Sequence, residues 1–484
     1  MKTLNPLYVF LDARRVTRGT SEMIATRQQK RLNELVAFAR AHSRFYAEKY
    51  RGLLESISDV RQLPPVTKQE LMEQFDDAVT DPSVRKADVL KYIADLGNIG
   101  KPYLGKYMVW TTSGTTGTPG IFLEDKNWDA VITAVNVLRM GGEWYTMDVL
   151  RGMLKAGGNS ASVFANNGHF LGVTMLERQR RTNRSRAKRI RLIPVTLPVH
   201  EIVKQLNELQ PAMFAGYASA LGLLAQEQLE GRLKIHPSIV ISSAEPLSPE
   251  NRALIQQAFG VPPRNNYGCS EGGVMGYECK NQHMHINADW IILEPVDANH
   301  VPVPTGQLSE RTLITNLANR VMPILRYELG DRVALSPDKC TCGITLPVLN
   351  VEGRTDEILR FRSPDGQQIP VLPLALWSVL KETPGVLKFQ AIQTSPEDLI
   401  IRLEPKRPAS CEEVWKRTYI NARDYLSNQG LDNVRISRAQ EPPIRDPKSG
   451  KFRNVWAEKF SNDRRVQNER NKQGTAREIA SRSV

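Results

Sequence analysis

The chain has 484 residues, 41% of them hydrophobic, and a formal net charge of +13 from 65 basic and 52 acidic side chains. That length exceeds what one hydrophobic core usually organises, so two or more domains are expected. No apolar run approaches a membrane-spanning length, which excludes a helical integral membrane protein, and the 5 irregularly spaced cysteines exclude a disulfide framework.

From the start, MKTLNPLYVFLDARR holds one short apolar patch broken by Asp12 and no small-residue cleavage pattern, so a cytoplasmic location is expected. Residues 22–60 alternate apolar and charged positions at helical spacing, as in Arg31 to Arg40. Pro64 and Pro65 break that pattern, and Thr67-x-x-Glu70 is a capping box that opens a further helix. Next comes VWTTSGTTGTPGIF, Val109 to Phe122, where an apolar run meets three glycines and a cluster of hydroxyls. Phosphate oxygens need short donors on a backbone that can approach closely. Gly114 and Gly117 permit that approach, and Thr111, Thr112, Ser113, Thr115 and Thr116 add hydroxyls beside the backbone N–H groups. The spacing and the missing lysine set it apart from the GxxxxGK[ST] phosphate loop.

Residues 126–141 and 198–210 read as helices, and 212–217 and 238–243 as short buried strands. Helices alternating with apolar strands imply an α/β core of helix-covered sheets. Between them lies a basic stretch, Arg178, Arg180, Arg181, Arg184, Arg186, Lys188, Arg189 and Arg191. It is compatible with a solvated face, with docking of an anionic cofactor or an acidic carrier protein, or with nucleic acid. No interleaved aromatics accompany it, which disfavours nucleic acid.

Asn266-Tyr267-Gly268-Cys269-Ser270-Glu271-Gly272 follows a strand-and-turn pattern, and Met322 to Asp331 (MPILRYELGD) reads as a strand ending in a polar turn. Around them Cys279, His283, His285, Cys340 and Cys342 form two clusters. Thiolates and imidazole in fours suit a closed, structural zinc site, with Cys279, His285, Cys340 and Cys342 as the favoured ligands. After Gly353-Arg354-Thr355-Asp356, strands at 358–361, 386–392 and 399–403 and helices near 371–382 and 410–427 suggest a compact α+β domain. Near the end stands Pro447-Lys448-Ser449-Gly450-Lys451-Phe452-Arg453. The expected organisation is an N-terminal domain over 1–353, a smaller one over 354–460, and a basic, disordered tail over 461–484.

The Ser/Thr/Gly loop, YG-x-S-E, Y-x-x-G-D, GR-x-D and S-G-K-x-R occur in that order. This order resembles the adenylate-forming superfamily of acyl-CoA synthetases, luciferases and peptide-synthetase adenylation domains. The TTSGTTGTP, RYELGD and CTCG spellings look most like its phenylacetate–CoA ligase branch. The resemblance spans roughly residues 25–460. It implies a large ATP- and acyl-binding domain of several subdomains joined to a small mobile lid, and the use of ATP, Mg2+ and CoA on a small, aromatic carboxylic acid. Ser113, Gly114, Thr115, Thr116 and Gly117 would cradle the departing phosphates.

The resemblance also implies that Tyr267 lies against the adenine, with Asn266, Gly268 and Ser270 beside it and Ala244, Glu245 and Pro246 forming an adenine-side loop. Glu271 would hold the magnesium ion, Asp331 the ribose hydroxyls, and Arg354 the ribose or phosphate. Asp356 would be the lid's pivot, and Lys451 the electrostatic catalyst that the lid delivers. His169, Gly216 and Tyr217 would line the acyl pocket. Ser270 stands where many relatives have threonine, and Gly120 where many have a polar residue. Two rivals follow: an adenylating enzyme that hands its acyl group to a carrier protein or an amine, and a non-catalytic nucleotide- or nucleic-acid-binding protein on the same scaffold. Retention of Glu271, Asp331 and Lys451 together argues against the second.

Overall fold

The computed structural model describes residues 4–112, 120–166, 168–352, 358–406, 408–444 and 453–458. The chain divides into two compact units, Met1–Thr355 and Asp356–Val484.

In the first unit, helix Pro6–Thr17 begins at Asn5, whose side chain accepts from the Leu7 N–H, and helix Ser21–His42 begins at Thr20, which accepts from Met23. The two are stapled by Asp12, which accepts from Arg27 at 2.8 Å and Arg31 at 2.6 Å. Arg31 also lies 3.4 Å from the ring centre of Trp290, fastening the pair to the body of the unit. The capping box forms as the sequence predicts, with Thr67 and Glu70 exchanging hydrogen bonds at the start of helix Lys68–Glu73.

Strands β1 (Met108–Thr111) and β2 (Ile121–Glu124) form an antiparallel hairpin whose loop is the hydroxyl-rich segment. A parallel array follows: β3 (Ser160–Phe164), β4 (Ile190–Pro194), β5 (Met213–Gly216), β6 (Ile239–Ser242) and β7 (Arg264–Cys269). These pair in the order β4-β3-β5-β6-β7. The helices between them, Leu171–Thr182, Val199–Leu209, Ala218–Leu229 and Pro249–Phe259, are the crossovers that parallel pairing requires. From β7 the sheet turns antiparallel through β8 (Gly273–Glu278) and β9 (Met284–Ile286).

Beside it, β10 (Ile291–Val296), β11 (Arg311–Asn316) and β12 (Ile324–Leu329) make a three-stranded antiparallel sheet. Strands β13 (Arg332–Leu335) and β14 (Val348–Glu352) return to β9 and complete a nine-stranded sheet.

The expected 126–141 helix differs in one respect. It is α-helical over Lys126–Val135 and continues as a π-helical turn over Asn136–Met140. The wider turn directs Arg139 inward, a displacement that 3.6-residue periodicity does not anticipate. Its buried guanidinium donates to Asn287 at 2.9 Å, Asp289 at 2.8 Å and Thr17 at 3.0 Å.

In the second unit, β15 (Leu359–Arg362) and β16 (Gln368–Val371) form a hairpin. Four further strands, β17 (Val386–Ser395), β18 (Asp398–Pro405), β19 (Arg435–Arg438) and β20 (Val455–Ala457), pair in the order β19-β18-β17-β20. Helices Pro373–Lys381 and Cys411–Asn428 pack on this sheet. The two helices and β15, β17 and β18 are those the sequence pattern predicts, with ends displaced by up to three residues, whereas the short strands β16, β19 and β20 were not read from the sequence. Ser113, Gly114, Thr115, Thr116, Gly117, Arg354, Asp356, Lys451 and the 461–484 tail lie outside the described residues. Among the described residues, no helix is long and apolar enough to cross a membrane.

Candidate active site

The hairpin closes just at its mouth. Thr112 donates from its N–H to the Gly120 carbonyl at 2.9 Å, and the Gly120 N–H donates to Thr112 Oγ1 at 2.9 Å. A Cβ on Gly120 would stand 2.6 Å from the Phe122 ring and 2.8 Å from Thr112 Oγ1, so this position requires glycine. The hairpin is then tied to two other motifs. The His169 carbonyl accepts from Thr111 N–H at 2.8 Å, and Ser270 Oγ donates to the Thr111 carbonyl at 3.3 Å. The fold thus gathers the loop's base, His169 and the YGCSE turn in one place.

YGCSE is the end of β7 and the turn into β8 rather than a segment following a strand. The β7–β8 register slips between Tyr267 and Gly268, so the strand bends at that point. Glu271 projects from the turn and is buried, with its backbone carbonyl held by Asn316 Nδ2 at 3.2 Å. Burial pushes its carboxyl up, opposed by its own backbone N–H, the Cys269 thiol and the charge of Lys68. Burial pushes the neighbouring Tyr327 hydroxyl up, and the charge of this carboxylate adds to it. No cation forms an ion pair with Glu271 among the described residues.

Gly273 makes the turn possible. It sits at φ +67°, and a Cβ there would lie 2.1 Å from Trp128 Cζ2, with the indole pressed on the bare backbone. Gly273→Ala is therefore expected to cost about 1–3 kcal/mol through overpacking and positive-φ strain. Thermal unfolding of the variant checks this as a lowered midpoint.

The Tyr267 hydroxyl donates to Asp331 Oδ2 at 2.8 Å, and Thr312 Oγ1 donates to the Asp331 carbonyl at 2.8 Å. Asp331 is exposed and Tyr267 nearly covered, so the tyrosine holds one oxygen of an exposed carboxylate in place. Asn266 Oδ1 accepts from Ser243 Oγ at 2.8 Å. In the neighbouring loop, Ala244 adopts φ 65° and the Glu245 carboxylate accepts from Ser219 N at 2.7 Å and Ser219 Oγ at 3.0 Å. That carboxylate serves the start of helix Ala218–Leu229.

Gly216 and Tyr217 lie where β5 enters the same helix. Tyr217 accepts from the Ala165 N–H at 3.3 Å and stacks edge-on against Phe164 at 4.9 Å. His169 is buried, with Nε2 lacking a hydrogen-bond partner among the described residues, and burial holds its pKa down.

Two residues at this site escape the sequence reading. Tyr327 sits inside the RYELGD motif but carries no role there by pattern. Lys68 was legible only as the residue after a helix cap. Burial pushes the Lys68 ammonium down to about 8, against the pull of Glu271.

A second constellation lies between β9 and the 340–342 turn. One donor atom from each of Cys279, His285, Cys340 and Cys342 falls within 4.8 Å of the others. Cys279 Sγ and Cys340 Sγ are 3.8 Å apart, and Cys342 Sγ is 3.4 Å from His285 Nε2. A tetrahedron with ~2.3 Å metal–sulfur and ~2.0 Å metal–nitrogen bonds has edges of about 3.8 and 3.5 Å. Two of the six edges therefore match a zinc tetrahedron, and all four donors lie within 4.8 Å of one another. His285 Nδ1 meets the Leu346 carbonyl at 2.8 Å, which fixes the tautomer and turns Nε2 to the cluster. His283 reaches only one sulfur, Cys340, at 3.1 Å.

The basic stretch is partly spent locally. Arg178 makes a two-pronged pair with Asp129 at 2.6 Å, Arg180 pairs with Glu177 at 2.5 Å, and Arg181 donates to the Ile99 and Gly97 carbonyls at 3.0 and 3.1 Å.

No protein-family model matches the chain. It is similar to the phenylacetate–coenzyme A ligase of Thermus thermophilus, with 26% identity over 468 residues, covering 90% of this chain and 96% of that protein. Protein CapK of Staphylococcus aureus is 22% identical over 408 residues, 81% of this chain and 80% of that one. Among solved structures, 2-hydroxyisobutyryl-CoA ligase in complex with 2-HIB-AMP and CoA, in the thioesterification state, superposes with a TM-score of 0.56. That match has 21% identity and covers 95% of this chain and 94% of the other. The same ligase in its postadenylation state gives a TM-score of 0.52 at 20% identity, covering 96% and 94% of the two chains. The chain is thus similar along nearly its whole length to a phenylacetate–CoA ligase, and its fold is that of the adenylate-forming ligases.

Proposed function

We propose that the chain is an ATP-dependent carboxylate–CoA ligase working through an acyl-adenylate. A carboxylate oxygen attacks the α-phosphorus of ATP and pyrophosphate leaves; the thiol sulfur of CoA then attacks the acyl carbon and AMP leaves. The observation that carries this reading is the convergence of the hydroxyl-loop hairpin, buried Glu271 and Tyr267-held Asp331 on one site, in a chain similar along most of its length to such a ligase.

Charge neutralisation and positioning are most of what a protein offers phosphoryl chemistry. A buried carboxylate with no protein cation at ion-pair distance among the described residues is a fit ligand for magnesium, which would neutralise the phosphates when bound. Ser113, Gly114, Thr115, Thr116 and Gly117 cradle the phosphates in this reading. Tyr267, the Asn266–Gly268 backbone, Ser270 and the Ala244–Pro246 loop surround the base, and Arg354 and Asp331 hold the ribose. Because its carboxylate caps a helix, Glu245 contributes to that loop's shape rather than a side chain to the ligand. Buried neutral His169, with Gly216 and Tyr217, lines the acyl pocket. Lys451, in a lid pivoting at Asp356, bridges carboxylate and leaving oxygen. An aromatic acid is favoured through the branch resemblance alone. Cys279, His285, Cys340 and Cys342 hold a structural zinc ion, its shell filled by protein.

The acceptor is tested by incubating enzyme, ATP and an accepted acid with CoA, an acidic acyl carrier protein or a simple amine, and measuring AMP release. Release stimulated by CoA is expected. Stimulation by the carrier or amine alone would give the second step to that acceptor instead.

A further inference from the structure

Arg139 stands in the π-helical turn Asn136–Met140, and its guanidinium and the Asp289 carboxylate are both fully covered. A buried guanidinium is costly unless acceptors meet it in fixed positions. Its Nη1 donates to Asp289 Oδ1 at 2.8 Å and to Asn287 Oδ1 at 2.9 Å, while Nε donates to Thr17 Oγ1 at 3.0 Å. A guanidinium accepts nothing, so the Asn287 amide must turn its oxygen to Arg139 and keep its nitrogen for the other side. There Nδ2 donates to the Val274 carbonyl at 3.1 Å, and the Asn287 backbone N–H donates to the Met275 carbonyl at 2.7 Å. Val274 follows Gly273 directly and pairs with Gly268, so both bonds fall on the first residues of β8, where the YGCSE turn ends. The helix that carries Arg139 meets this turn a second way, because Trp128 in its α-helical part lies against Gly273. Asp289 is shared with the N-terminal helices: Arg31, paired with Asp12, donates to the Asp289 carbonyl and stands 3.7 Å from Oδ2. Single π-helical turns are rare and concentrate at functional sites.

We propose that Arg139 is a positioning residue for the metal-binding carboxylate. Through Asn287 it fixes the start of β8, and so the turn from which Glu271 projects. This rests on the adenylating reading above, in which Glu271 holds the magnesium ion. A lysine at this position keeps a charge beside Asp289 but has no planar fork, so it cannot hold Asn287, Asp289 and Thr17 together.

The test compares wild type with Arg139→Lys and with the double variant Arg139→Met/Asp289→Leu, which removes both charges and so leaves neither buried without its partner. Melting temperature, ATP affinity by calorimetry with and without magnesium, and the half-saturating magnesium concentration in pyrophosphate exchange are measured. In both variants ATP affinity without magnesium is expected to match wild type, while the gain in affinity that magnesium brings falls about tenfold. Half-saturating magnesium in exchange rises by the same factor. A wild-type magnesium response in folded Arg139→Lys or in the folded double variant, even with a lowered melting temperature, leaves Arg139 a structural role alone and overturns the proposal. An equal loss of ATP affinity with and without magnesium overturns it too. Glu271→Gln with an intact magnesium response overturns this inference and the Glu271 assignment but leaves adenylation standing. Wild-type protein that binds no ATP and runs no exchange overturns the adenylating reading and this inference together.

Discussion

Replacing Glu271 with glutamine is expected to lower ATP–pyrophosphate exchange by about 10²- to 10³-fold. Glutamine keeps the shape, so Asn316 still holds the backbone carbonyl and Gly273 still lies beneath Trp128. What is lost is the negative charge. In the folded protein Glu271 is buried, and the Lys68 charge opposes the rise that burial imposes on its carboxyl. An amide cannot hold a divalent cation with similar strength, and a cation lost from the phosphates leaves their developing charge uncompensated. Exchange measured over a range of magnesium concentrations, with the melting temperature as a folding control, checks this. An unchanged rate in a folded variant would remove Glu271 from the metal-binding role.

Zinc removal is the second large effect. The 340–346 segment is more than a ligand carrier: Thr345 donates to the Thr17 carbonyl at 3.1 Å, where the first helix ends, and β9 pairs with β14 beside His285. A metal joining Cys279 and His285 to Cys340 and Cys342 therefore locks the N-terminal helix against the sheet. Protein as isolated is expected to contain about one zinc per chain by elemental analysis. Chelation, or Cys342→Ser, should lower the melting temperature of the first unit by on the order of 10 °C. Cys411, in the second unit, is outside the cluster, and Cys411→Ser should leave zinc content unchanged. Metal-free protein that melts no lower after chelation would leave four reduced donors serving only as packing.

Much of the fold was legible because its signals are local. The Thr67–Glu70 box announces its helix in four adjacent residues, and the apolar runs at 213–216 and 239–242 become buried parallel strands as their composition implies. The gathering of Cys279, His285, Cys340 and Cys342 was readable because thiolate and imidazole at such spacing have few other uses. What sequence could not supply was long-range or depended on one anomalous turn. Arg139 turns inward through a π-helical turn, and its partners Asn287 and Asp289 lie some hundred and fifty residues away. Lys68 gains its place only because Val66 pairs with a strand more than 250 residues on. The Tyr267–Asp331 bond likewise links two motifs read separately, and shows that one carboxylate oxygen is already engaged.

The account's central claim is that this chain activates a carboxylic acid as its adenylate. The most direct test is ATP–pyrophosphate exchange across a panel of arylacetic, benzoic and aliphatic acids, with Lys451→Ala in parallel. The account predicts acid-dependent exchange concentrated in one acid class and lost in the lysine variant. Folded, zinc-loaded protein that supports no exchange with any acid, yet binds nucleotide, would contradict it and leave a nucleotide-binding protein on a ligase fold.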